Sequence, residues 1–233
     1  MIMDGISIAD NVKRIRDAIG EAAMASGRVP GDISLVAASK TKPAHMVREA
    51  IAAGVDAVGE NRVQEMAEKN AQGAYSGAPL HFIGHLQSNK VNKIVGVCDL
   101  IESVGSVGLV GAIASRAVSL GTIQSILLEV NIGSEPQKSG IPPEQVESVL
   151  DAASRMGGVS ILGLMAIPPI FEKNERNCNF FDIMHKLFVD IGCKKYDNVS
   201  MRFLSMGMSD SYEEAIQSGA NMVRIGSAVF GSR

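Results

Sequence analysis

Short apolar runs alternate with longer amphipathic segments along the whole chain, the pattern of βα units built around a parallel sheet. Eight runs can be counted: Ile33–Ser39, Val55–Gly59, Leu80–Gly84, Leu100–Val104, Ser125–Asn131, Ile161–Ile167, Arg202–Met206 and Met222–Phe230. Helical candidates open between them near Pro43, Asn61, Leu86, Ser106, Pro142, Asn174 and Ser209. Seven helices thus follow seven strands, and the eighth strand runs almost straight to Arg233, which would leave one outer position of a barrel bare. The segment Ser7–Ser26 places Ile8, Val12, Ile15 and Ile19 at helical spacing and can cover that gap. The predicted fold is an α/β (β/α)8 TIM barrel, one domain over residues 1–233, with an N-terminal helix replacing the last outer helix. An open doubly wound sheet is the competing architecture. The count of eight, and the lack of a Gly-x-Gly-x-x-Gly after the first strand, favour closure. A length of 233 residues suits such a barrel as one unit.

Hydrophobic residues make up 46% of the chain and aromatic ones 4%, with no Trp, so the core must rest on Ala, Val, Ile, Leu and 12 Met. That composition offers no aromatic platform for stacking bases. A net charge of -3 gives no sequence-wide basic footprint for nucleic acid or an anionic membrane. Cys98, Cys178 and Cys193 are far apart and odd in number, which indicates neither a disulfide framework nor a zinc site. No basic start and apolar stretch of a signal peptide opens the chain, and no apolar run approaches the roughly 18 residues that span a bilayer. The expectation is a soluble, cytoplasmic protein. No linker divides it, although the polar loop Gly133–Gly140, with Lys138 inside it, reads as flexible at the barrel mouth.

Lys40 closes the run Ile33–Ser39 and so reads as an ammonium at the end of a buried strand. Among Val36, Ala37 and Ala38 a charged amine is costly unless paired, neutralised or covalently bonded, and desolvation lowers a lysine pKa toward the nucleophilic range. Schiff-base chemistry is one reading; a lysine that snorkels outward at the strand end is the plain alternative. Barrel enzymes work at the C-terminal ends of their strands and often hold phosphate in the loops after strands seven and eight. Here Leu204-Ser-Met-Gly-Met-Ser-Asp210 offers the Ser205 and Ser209 hydroxyls with Gly207 between them. Gly226 and Ser227 add backbone N–H groups and a hydroxyl. Ser209-Asp210 also reads as a helix cap. Arg224 stands inside the apolar stretch Met222–Ile225, where a buried arginine needs an acceptor. After strand two, Asn61 is either a site amide or a helix N-cap. After strand three, His81 and His85 lack the companion ligands of a metal site. Met165 reads as core, near a strand end where it could line a flat ligand.

A strand-end lysine, a phosphate cradle and a buried arginine describe a site for an aldehyde that carries phosphate, and pyridoxal 5'-phosphate (PLP) fits all three. A cofactor-free aldolase for a phosphorylated sugar, using the same lysine, is the other chemistry of that type.

The chain resembles the YggS/PROSC family of PLP homeostasis proteins nearly end to end. The likeness rests on Leu35-Val-Ala-Ala-Ser-Lys-Thr-Lys-Pro43, Gly59-Glu-Asn-Arg-Val-Gln-Glu65, His81-Phe-Ile-Gly-His-Leu-Gln-Ser-Asn-Lys90, Val130-Asn-Ile-Gly-Ser-Glu-Pro-Gln-Lys-Ser-Gly-Ile141 and Gly163-Leu-Met-Ala-Ile-Pro168. Leu204–Asp210 and Met222–Gly231 complete it. The resemblance implies a barrel similar to the N-terminal domain of alanine racemase, with PLP as an aldimine on Lys40. It places cofactor contacts at Asn61, Met165, Ser205, Met206, Arg224, Gly226 and Ser227. It further implies a carrier or regulator of the vitamin B6 pool without robust turnover, with PLP-dependent apo-enzymes as recipients. An arginine at the pyridine nitrogen disfavours its protonation and weakens the ring as an electron sink. A racemase also needs a second acid/base on the opposite ring face, supplied by a further domain that a chain ending at Arg233 is expected to lack, and Tyr75, Tyr196 and Tyr212 read as lying away from the strand ends. The expected state is a monomer; a racemase-like enzyme of low activity is the alternative.

Overall fold

The computed structural model describes residues 7–133, 135, 137, 139–169 and 178–231, and among these the eight parallel strands close in chain order into a barrel. They are β1 (Ser34–Ala38), β2 (Ala57–Glu60), β3 (Leu80–Phe82), β4 (Leu100–Val104), β5 (Gln124–Val130), β6 (Val159–Ala166), β7 (Val199–Ser205) and β8 (Met222–Ile225). Closure is made by β8 on β1, in the register Ser34↔Met222 to Ala37↔Ile225. The helices are α1 (Ile8–Ala25), α2 (Ala44–Ala52), α3 (Val63–Ala71), α4 (Val107–Ser119), α5 (Val146–Ala153), α6 (Cys178–Gly192), α7 (Tyr212–Gln217) and α8 (Ser227–Phe230). The closed barrel over the open sheet is therefore borne out.

Two elements differ from expectation. The eighth strand stops at Ile225, because after Gly226 the chain turns into the four-residue α8 instead of continuing extended to Phe230. After β3 no α-helix forms; the segment makes a 3-10 turn over Ser88–Lys93.

α1 fills the gap left by so short a last helix. Ser7 caps it, its Oγ accepting the Asp10 N–H at 3.1 Å, and Ile8, Val12, Ile15 and Ile19 recur on one face and are all buried. That face packs on α2, α7 and α8. Polar ties lock it in place: Asn11 Nδ2 donates to the Val229 carbonyl at 3.0 Å, and Arg16 reaches Gly54 O and Asp56 Oδ2 at 2.7 Å each. Burying each Ile or Val contributes about 1.5–3 kcal/mol, so the four residues supply on the order of 10 kcal/mol.

Strand alternation divides the interior. Leu35, Ala37, Ile126, Leu128, Val223 and Ile225 face the helices, while Val36, Ala57, Leu100, Leu127, Met165 and Met222 pack inside the barrel with Leu162 and Phe203. Above this apolar layer, two residues further along the same inward parity, come Glu102, Glu129, Ser205 and Arg224, joined by His81 of β3. All five are buried. Gly163 (φ 146°) makes the close β6–β7 approach possible, since a Cβ there would lie 1.9 Å from the Phe203 carbonyl oxygen.

Candidate functional site

Lys40 is exposed, so the desolvation expected from its apolar neighbours does not occur. β1 ends at Ala38, and the chain leaves the sheet through Ser39 and then Thr41, whose φ of 64° is left-handed backbone in a β-branched residue. Both flanks of the lysine are tied down. Ser39 Oγ donates to Glu60 Oε1 at 2.5 Å, and the Ser39 carbonyl accepts from Lys69 Nζ at 2.8 Å. The Thr41 N–H donates to Glu65 Oε2 at 2.7 Å. Glu60, fully buried at the end of β2, also accepts from Lys69 Nζ at 2.6 Å and from the Tyr75 hydroxyl at 3.1 Å. Tyr75 therefore does reach a strand end, against expectation, and burial together with the Glu60 charge pushes its phenol well above its ordinary pKa.

A small cavity of about 80 Å3 brings Lys40 together with Ala38, Thr41, Lys42, Gly226, Ser227 and Gly231. Lys40 and the Gly226–Ser227 turn thus meet although they lie far apart in sequence. Gly226 is closely fitted, because a Cβ there would stand 3.2 Å from the Ala38 carbonyl oxygen. Ser227 Oγ donates to Ser209 Oγ at 3.0 Å, which draws in the loop after β7. α7 is preceded by Ser211 at its N-cap position, so Ser209 and Asp210 are not its cap.

Arg224 has the acceptors that its burial demands. Its Nη1 donates to Ser205 Oγ at 2.6 Å and lies 3.8 Å from Glu102 Oε2, and its Nη2 donates to the Ala166 carbonyl at 3.0 Å. Ser205 Oγ in turn donates to Glu102 Oε2 at 2.6 Å, and His81 Nδ1 stands 2.7 Å from Glu102 Oε1. The Ser205 hydroxyl is consequently engaged inside the barrel rather than turned to the cradle beside Lys40. Burial pushes the Glu102 carboxyl up, but the His81 hydrogen bond and charge, with Arg224 and Ser205, outweigh it and hold the pKa below the ordinary value. Burial also lowers the Arg224 pKa, opposed by Glu102 and Glu129.

Of the other expected residues, Asn61 does not cap α3, whose N-cap position is Arg62. Its Oδ1 is instead buried without a hydrogen-bond partner, a state that a bound polar group would relieve. Met165 and Met206 are fully buried, in the barrel interior and the outer core respectively. Lys138 lies outside the described residues. Glu102 and Glu129 escaped the sequence reading, though each is a carboxylate at inward parity within an apolar run. No helix among the described residues is long and apolar enough to cross a membrane, and none of their His, Cys, Asp and Glu residues form a group of three that could hold a metal.

Residues 4–233 match the family model for the alanine racemase N-terminal domain. The pyridoxal phosphate homeostasis protein of Pseudomonas aeruginosa is 38% identical over 97% of this chain and 96% of its own. A solved structure of PipY from Synechococcus elongatus with PLP bound superimposes with a TM-score of 0.83 at 31% identity, covering 97% of this chain and all of that one. An alanine racemase of Clostridium difficile shares the fold, with a TM-score of 0.71 at 16% identity over 96% of this chain and 60% of the racemase.

Proposed function

We propose, for a chain that belongs to the alanine racemase N-terminal-domain family and within it to the pyridoxal phosphate homeostasis proteins, that it binds PLP and serves cellular vitamin B6 homeostasis. The observation that carries this reading is the shared cavity of Lys40, Gly226 and Ser227. It puts a primary amine beside a backbone turn and a hydroxyl pair suited to phosphate.

The residues divide the work. Lys40 Nζ takes the aldehyde carbon in a reversible carbon–nitrogen double bond, with water as the other product. Gly226, Ser227 and Ser209 receive the phosphate. Arg224, held by Glu102, Ser205 and the Ala166 carbonyl, presents a fixed positive charge toward the ring, and the buried Asn61 Oδ1 offers it an acceptor. Met165 and Ser205, buried inside the barrel, and Met206, buried in the outer core, back these groups with a packed surround. When bound, PLP supplies an electron-withdrawing ring; a guanidinium at its nitrogen disfavours protonation there and keeps that capacity low.

An exposed lysine suits reversible loading, because water and incoming amines reach the bond directly. The function is accordingly storage and delivery of PLP to apo-enzymes by a monomeric cytoplasmic protein, without robust turnover of its own. Borohydride reduction of the PLP-treated chain followed by peptide mass spectrometry tests the assignment. A pyridoxyl group on Lys40, absent from Lys40→Ala, is the expected result; label elsewhere, or none, would overturn it.

A further inference from the structure

Opposite β1 in the ring of strands, the barrel mouth opens into two adjoining hollows of about 530 and 400 Å3. His85, Glu129 and Ser139 line both, and none of the residues assigned above to PLP lines either. Glu129 is only 7% exposed. Its Oε1 accepts from Ser139 Oγ at 2.9 Å, while its Oε2 is buried with no hydrogen-bond partner. A buried carboxylate oxygen left unpaired costs free energy, and a donor that enters the hollow removes that cost.

The smaller hollow also reaches Gly105, Ser106 and Leu109 at the N-terminal end of the 13-residue helix α4, where the N-cap Ser106 Oγ already accepts the Leu109 N–H at 3.2 Å and the Val107 and Gly108 N–H groups open the helix. Helix N-termini present N–H groups and partial positive charge to anions. Gly105 brings the two features together: a Cβ there would lie 3.6 Å from Glu129 Oε2 and 3.0 Å from the Gly140 N, so this oxygen lies close to the residue that precedes the helix cap. A seeker of cations and a seeker of anions therefore share one wall.

We infer that this hollow binds a free α-amino acid, with its ammonium on Glu129 and its carboxylate at the N-terminus of α4. A phosphate would meet the Glu129 carboxylate and be repelled, and a simple amine would leave the helix end unused. A zwitterion satisfies both. His85, Gln87, Ser88 and Ser103 give the rest of the wall polar groups beside the apolar Leu86, which favours a side chain with a polar end. Burial pushes the Glu129 carboxyl above its ordinary pKa, opposed by Ser139, His85 and Arg224, and an ammonium against Oε2 would draw it down. The site stands whether or not Lys40 takes an aldehyde.

Saturation-transfer NMR with the twenty L-amino acids tests it, using both the cofactor-free chain and the chain with PLP fixed by borohydride, so that no amino acid carries the cofactor away. At about 10 mM ligand, at least one polar amino acid gives transfer, whereas propionate and ethylamine do not. The amide signals of Gly105, Ser106 and Leu109 shift with the same titration. Glu129→Gln weakens binding by about tenfold or more, the loss of one charge-assisted contact. Silence from all twenty with the parent chain, undiminished binding by Glu129→Gln, or shifts confined to other residues would each overturn the site. The parent-chain result decides even if Glu129→Gln folds poorly, and Glu129→Asp, which keeps the charge, provides a second variant whose binding should exceed that of Glu129→Gln.

Discussion

Replacing Lys69 by methionine removes one ammonium from a buried cluster while keeping most of the side chain's bulk. Lys69 Nζ lies 2.6 Å from Glu60 Oε1, and the two side chains are 8% and 0% exposed. Without it the Glu60 charge retains, among the described residues, the Ser39 and Tyr75 hydroxyls as donors, and the Ser39 carbonyl loses its lysine contact. Breaking a buried pair on one side costs about 3–5 kcal/mol, because the surviving charge stays desolvated. For a chain of this size each kcal/mol shifts Tm by about 2–4 °C, so Lys69→Met should melt on the order of 10 °C below the parent. Adding Glu60→Gln removes the stranded charge and should restore about half of the loss or more. Urea denaturation followed by circular dichroism gives the free energies. A single variant within about 1 kcal/mol of the parent would refute the reasoning, as would a double variant no better than the single one. On the proposed assignment, PLP uptake at Lys40 provides a second readout, since the cluster fixes both flanks of that lysine: Lys69→Met should label more slowly even where it remains folded.

The two inward carboxylates should respond oppositely to pH. Glu129 has a folded pKa above its unfolded value, so stability is lost as pH rises from the unfolded toward the folded pKa; Glu129→Gln should melt higher than the parent near neutrality, with the gain vanishing below about pH 4. Glu102 has a folded pKa below its unfolded value, so its contribution is present above the unfolded pKa and lost as pH falls through the folded one. Glu102→Gln should therefore melt lower at neutral pH and converge with the parent in acid, as melts across pH 3–8 would reveal. Gly163→Ala should cost more than about 3 kcal/mol in a urea titration, since its Cβ cannot fit against the Phe203 carbonyl. Iodoacetamide should alkylate the exposed Cys193 and spare the buried Cys98, whose thiol is pushed up to about 12, as peptide mass spectrometry of the native chain would show.

The strand count was legible because parallel barrel strands are covered on both sides and stand out as apolar runs. α1 was legible because one apolar stripe requires a surface to cover. The layer of Glu102, Glu129, Ser205 and Arg224 was only partly so: Arg224 announced its need for an acceptor, but nothing in a linear pattern pairs a carboxylate of β4 with an arginine of β8. Lys40 misled for a related reason. Its neighbours are apolar, yet the left-handed Thr41 carries the chain out of the sheet at that point, and a backbone angle leaves little trace in the residue types around it. Lys69 sits on an amphipathic helix like any solvated lysine, and only the fold shows that it turns inward to Glu60.

The pairing of β8 with β1 brings the two ends of the chain's strand series together. Lys40 belongs to the first strand loop, while Gly226, Ser227 and the lysine-cradling Phe230 and Gly231 carbonyls, which accept from Lys42 Nζ, follow the last strand. A growing chain can lay down seven strands and still lack the Gly226–Ser227 turn beside Lys40. Contacts between residues so far apart in sequence are slow to form. On the assignment proposed above, the place for the aldehyde and the phosphate is therefore complete only once the last strand has closed the barrel.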